Sequence, residues 1–261
     1  MLGKLLKYEL PAMGRKLLPL YAAWAVTALV LGLSLQSSAS KNDFIAVMSV
    51  LLYVAVATAI AVMTIVMIIQ RYSKSLLGDE AYFNQVLPVS VSAHIGNKLI
   101  SATIWVAVTA LAALLTGVLI LLGGGIVTGF ESYDPSYIEI PKNFWLYAFE
   151  FLILMIAGTV KTVMQIYTAV TIGHQVQDHV TLASIGAYIA VMIAESMIGR
   201  IIIQILWRST GETSLEKFMY GSDGFLNFSY IFFPTLIMTL AISAVYFFIC
   251  KYLMEKRLNL A

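Results

Sequence analysis

Apolar residues run along this chain in six long blocks, Leu17–Leu35, Phe44–Ile69, Leu99–Leu122, Phe144–Val170, Val180–Trp207 and Phe228–Tyr252. Each is close to or beyond the ~20 apolar residues that a helix needs to cross the hydrocarbon core. The longer blocks have room to tilt or to protrude into water. The pattern predicts an all-α fold: a polytopic membrane protein with six transmembrane helices. Polar residues collect between the blocks, in Met1–Lys16, Gln70–Lys98, Ile172–His179 and Arg208–Asn227.

Composition agrees with the pattern. Of the 261 residues, 60% are hydrophobic and 11% charged, against about 25% charged in a soluble domain; the mean hydropathy is +0.88. The spans consume nearly the whole chain, so residues 1–261 read as a single transmembrane domain. A net charge of +2 is too small to argue for nucleic acid as a partner. The one cysteine, Cys250, has no second cysteine to bridge and reads as an inert lipid- or core-facing residue. The N-terminus does not read as a cleaved secretory signal, because its apolar stretch starts late and runs long.

Charge sets the expected orientation. An even number of spans puts both termini on one side. Lys4, Lys7, Arg15, Lys16, Arg71, Lys74, Lys98, Lys251, Lys256 and Arg257 fall on that side, ten in all, against four opposite, Lys41, Lys142, Arg208 and Lys217. The positive-inside rule makes the termini cytoplasmic. Tyr21, Trp24, Tyr72, Phe144, Trp145, Tyr147, Trp207, Phe228 and Tyr230 stand near span ends, where interfacial anchors belong. Gly123–Gly125 marks the end of the third span.

Two cytoplasmic stretches carry local pattern. In Met1–Lys16, leucines alternate with Lys4, Lys7 and Glu9 before Pro11 interrupts the helix. This reads as a short interfacial helix with its lysines near anionic headgroups, or as a charged tail that only sets topology. In Gln70–Lys98, turn chemistry at Gly78 and a capping Asp79 precede a short helix that stops before Pro88. That helix carries Tyr82, Phe83, Val86 and Leu87. Its aromatics either dock in a partner's groove or lie on the membrane surface. Ser90 or Ser92 then caps the third span, whose first turns hold His94, Asn97 and Lys98.

The order of these features resembles a type-2 ABC-transporter permease of the small bacterial exporter group, the antimicrobial-peptide and multidrug type. The residues that carry the likeness are the "KYEL" of Lys7–Leu10 and Arg15 before the "LLPLY" of Leu17–Tyr21. With them go Asp79, Glu80 and Tyr82 ahead of the "LPVS" of Leu87–Ser90. Val91 stands where the family often has a basic residue. The resemblance implies a bacterial plasma-membrane permease that pairs with a second copy or a sister permease and docks on cytoplasmic ABC ATPase subunits. It implies a coupling helix over Asp79, Glu80, Tyr82, Phe83, Val86 and Leu87, and a second cytoplasmic contact at His174, Gln175 and Asp178. ATP and Mg would bind the partner ATPase, with no cofactor in this chain. No G-x-x-x-x-G-K-[ST] loop occurs in the sequence, so ATP hydrolysis is expected in a separate subunit and this chain is not itself expected to be an enzyme.

Four ionisable residues fall inside predicted spans: Glu150, Lys161, Glu195 and Arg200. Such residues usually face protein or water. Glu150 and Arg200 lie at similar depth on consecutive spans and are expected either to pair or to snorkel separately to the interface. Lys161 and Glu195 lie deeper, as parts of a translocation path or dimer seam, or as a structural pair. His174 and Asp178 share a helix face but His179 does not, and two ligands do not make a zinc site, so no metal is expected. "AESMIGR" superficially resembles glutamate–arginine intramembrane protease motifs, with one glutamate and the wrong spacing. Two other functions stay open: a gradient-driven secondary transporter or channel, and a non-transporting scaffold or sensor. Residues 208–227, on the outer side, read as short surface helices or a plain connecting loop.

Overall fold

The computed structural model describes residues 2–38, 43–78, 90–123, 144–176, 179–210 and 228–256. The protein is an all-α polytopic membrane protein, with six helices among the described residues long and apolar enough to cross a bilayer. They are α1 Leu2–Ser38, α2 Asp43–Tyr72, α3 Val91–Gly123, α4 Phe144–Gly173, α5 Val180–Thr210 and α6 Phe228–Lys256. A π-helical turn, Ser73–Leu77, extends α2 and ends at Gly78, whose N–H donates back to the Ser73 carbonyl. Each of the six expected apolar blocks lies inside one helix.

One boundary differs from expectation. Pro11, expected to interrupt the helix, does not: α1 passes through Pro11 and Pro19 as one helix of 37 residues, Leu2–Ser38. A proline costs one backbone hydrogen bond. Here Met13, Gly14 and Leu17 are buried just beyond it and hold the helix together across the gap. The start of α3 falls where a cap at Ser90 or Ser92 put it: the Ser90 carbonyl accepts from the Ala93 and His94 N–H groups and the helix begins at Val91, with His94, Asn97 and Lys98 in its first turns.

The chain divides into two compact units, with the divisions falling inside α2 and α3. Unit 1 comprises Met1–Gln70 and Ile100–Ile140. Within it, α1 and α3 run parallel: Met13 meets Ser101 and Tyr21 meets Thr109, at the same sequence separation of 88. Helices in lipid gain no hydrophobic drive from packing on each other, so small residues and hydroxyl pairs hold them. A Cβ on Gly32 would stand 3.0 Å from the Gly123 Cα, and one on Gly14 would stand 3.0 Å from the Trp105 ring. Ser34 bonds Ser49 at 2.6 Å and Tyr53 bonds Thr116 at 3.1 Å.

Unit 2 comprises Arg71–Leu99 and Pro141–Ala261. Here α4 is the central helix and packs on α5, α6 and the π turn. Parallel to it, α6 is joined where the Thr168 hydroxyl donates to the Tyr246 carbonyl at 3.2 Å. In the opposite sense, α5 approaches so closely that a Cβ on Gly173 would lie 2.6 Å from the Ser184 nitrogen.

Candidate functional site

The residues with the most interhelical polar contact lie in unit 2, along α4. Tyr72, the last residue of α2, is fully buried and stacks on Tyr167 with ring centroids 3.9 Å apart and planes 8° from parallel. Its hydroxyl lies 2.8 Å from Thr171 Oγ1 and 2.8 Å from Cys250 Sγ, with Met254 Sδ at 3.7 Å. One side chain thereby ties the end of α2 to α4 and α6. One residue on, Ser73 Oγ meets His174 Nε2 at 3.1 Å. His174 Nδ1 faces the Val170 carbonyl at 2.9 Å, so both ring nitrogens are engaged by protein. The Tyr167 hydroxyl donates to the Lys98 carbonyl near the start of α3 at 3.2 Å.

The two flanks of residues 79–89 are therefore fastened to one short stretch of one helix. Tyr72 and Ser73 hold the preceding flank to Tyr167, Thr171 and His174; Lys98 holds the following flank to Tyr167. The coupling residues expected from sequence, Asp79, Glu80, Tyr82, Phe83, Val86 and Leu87, lie outside the described residues, as does Asp178. Of the expected second contact, His174 is half-buried against Ser73 and Gln175 is exposed in the turn after α4.

Further along α4 is a charged cluster. Lys161 Nζ lies 2.5 Å from Glu195 Oε1 on α5, and the Tyr246 hydroxyl of α6 donates to Glu195 Oε2 at 3.0 Å. Glu195 stands at the middle of the 31-residue α5 and Lys161 just past the middle of the 30-residue α4. The two were open as pathway residues or as a structural pair; they are joined to each other. Glu150 and Arg200 are not: Glu150 is buried on α4, Arg200 is exposed on α5, and among the described residues no ion pair links them.

Sequence reasoning missed Tyr72, Tyr167, Thr171 and Tyr246. Tyr72 and Trp24 read as interfacial anchors but are buried. The signal available was chemical: a tyrosine in an apolar span must find a partner for its hydroxyl. Cys250, expected as an inert lipid- or core-facing residue, faces the core, buried and within hydrogen-bonding distance of Tyr72 and Thr171.

Comparison with protein-family models, with curated proteins and with solved structures finds no match.

Proposed function

We propose that this chain is the membrane-spanning permease subunit of an ATP-driven exporter in a bacterial plasma membrane. Both termini are cytoplasmic, and two such permeases, identical or sister chains, form the pathway. The cargo is amphipathic or hydrophobic, of the peptide-antibiotic or lipid-like kind. Nucleotide is hydrolysed on a separate ABC ATPase, which docks on Asp79–Leu87, with a second contact around His174–Asp178. The observation that carries this reading is the double fastening of α4. A push or pull on residues 79–89 acts through both flanks on Tyr167–His174, and α4 is the helix on which α5 and α6 pack. A short input lever attached to the central helix of a bundle is what conversion of cytoplasmic motion into helix movement requires.

The test is co-purification. The wild-type chain is expected to bring down a phosphate-loop ATPase, and replacing Tyr82–Leu87 by a glycine–serine linker is expected to abolish this. An ATPase retained by the linker variant would remove the coupling assignment.

A second reading, a gradient-driven transporter, is favoured by the mid-helix Lys161–Glu195 pair, since ionisable residues at that depth often mark ion or proton routes. Wild-type protein that never captures an ATPase, together with transport that collapses on adding an ionophore, would select it.

A further inference from the structure

The attachment of α5 is unlike that of the other helices. No described side chain on it is buried. It packs on α4 and approaches its backbone closely at one end, where Gly173 leaves room for the Ser184 backbone. About 18 Å further along α4, Lys161 holds Glu195, and Tyr246 occupies the remaining carboxylate oxygen. Both oxygens of Glu195 are thus taken by protein groups, which leaves it ill-suited as a ligand site and well-suited as a fastener. In lipid no hydrophobic force draws α5 back onto α4 once that contact opens. The side chains of Lys161 and Glu195 are 25% and 22% exposed, so the pair sits at the edge of the packing and not sealed within it.

We propose that Lys161–Glu195–Tyr246 is a releasable latch and Gly173–Ser184 its pivot: α5 swings away from α4 and α6 about the pivot when the ion pair opens. The device is independent of what drives transport.

The experiment measures two distances by pulsed spin-label spectroscopy on the full chain in lipid nanodiscs. One label pair replaces Ile156 and Ile201, exposed positions on the latch side; the other replaces Val176 and Leu182, exposed positions beside the pivot. Cys250 is fully buried and does not take label. Lys161→Met and Glu195→Gln are each expected to lengthen the 156–201 distance by more than the width of the wild-type distribution. The 176–182 distance should stay unchanged. The double variant Lys161→Glu with Glu195→Lys should restore the 156–201 distance, which separates loss of the pair from misfolding. Tyr246→Phe should broaden the same distribution by less. A 156–201 distance indifferent to both single substitutions overturns the latch. So does a swap variant as displaced as the single ones, and so do two label pairs that shift together.

Discussion

The Tyr72 hydroxyl is the shared partner of Thr171 and Cys250, 2.8 Å from each, inside a cluster where Thr171 and Cys250 are themselves fully buried. Without that hydroxyl Thr171 still donates to the Tyr167 carbonyl and meets Cys250, so the loss is that of an ordinary hydrogen bond, about 0.5–1.5 kcal/mol. Tyr72→Phe keeps the ring stacked on Tyr167 and should destabilise the detergent-solubilised protein by that modest amount, read as a lowered apparent Tm. Tyr72→Ala also opens a void beside Tyr167 and should cost about 3–5 kcal/mol. Equal melting of Tyr72→Phe and wild type would show that the hydroxyl contacts contribute nothing. None of this was readable from the chain. Tyr72 follows Arg71 at the end of an apolar block, the usual setting of an interfacial anchor, and its partners are 99 and 178 residues away. Hydropathy reports how greasy a position is; it does not report which hydroxyl a distant helix will bring to it.

At the scale of the element, the six spans were legible because lipid demands long apolar helices and few other structures satisfy the backbone there. Their ends were legible only in part. Ser90 or Ser92 marked the start of α3, but α1 continues back past its apolar block through Leu6–Lys16, where packing decides and periodicity is weak. Nor was helix pairing legible. Gly123 read as a stop signal, and it is the last residue of α3, but it also lets α3 approach α1 at Gly32. Gly32→Val should force the two backbones apart, with a loss of about 1–3 kcal/mol as for other overpacked sites. Gly117→Ala, on the same helix with no atom within 4 Å of the added carbon, should be neutral or slightly stabilising. The comparison is read from unfolding in detergent. Equal effects at Gly32 and Gly117 would mean that the close approach does not hold α1 to α3.

For the whole molecule, charge and length together make the orientation testable. The six helices run from 29 to 37 residues, about 43–55 Å at 1.5 Å per residue, against a hydrocarbon core of ~30 Å. Each therefore has turns to spare, and the cations show at which end they project. In α1 the lysines and arginines are confined to Lys4–Lys16, in α3 the only cation is Lys98 near its start, and in α6 they are Lys251 and Lys256 at its end. If the six helices cross in alternation, all of these fall on the face that carries the termini. The positive-inside rule predicts that this face is the cytoplasmic one. The buried state of Cys250 leaves the wild-type chain silent to thiol reagents and so permits a direct check. In intact cells a membrane-impermeant maleimide should label Ser132→Cys, between α3 and α4. It should fail to label Gln177→Cys, between α4 and α5, until the cells are lysed. The reversed pattern would put residues 79–89 outside the cell. No cytoplasmic ATPase could then reach the lever on α4, and the exporter reading would fall while the α5 latch stood.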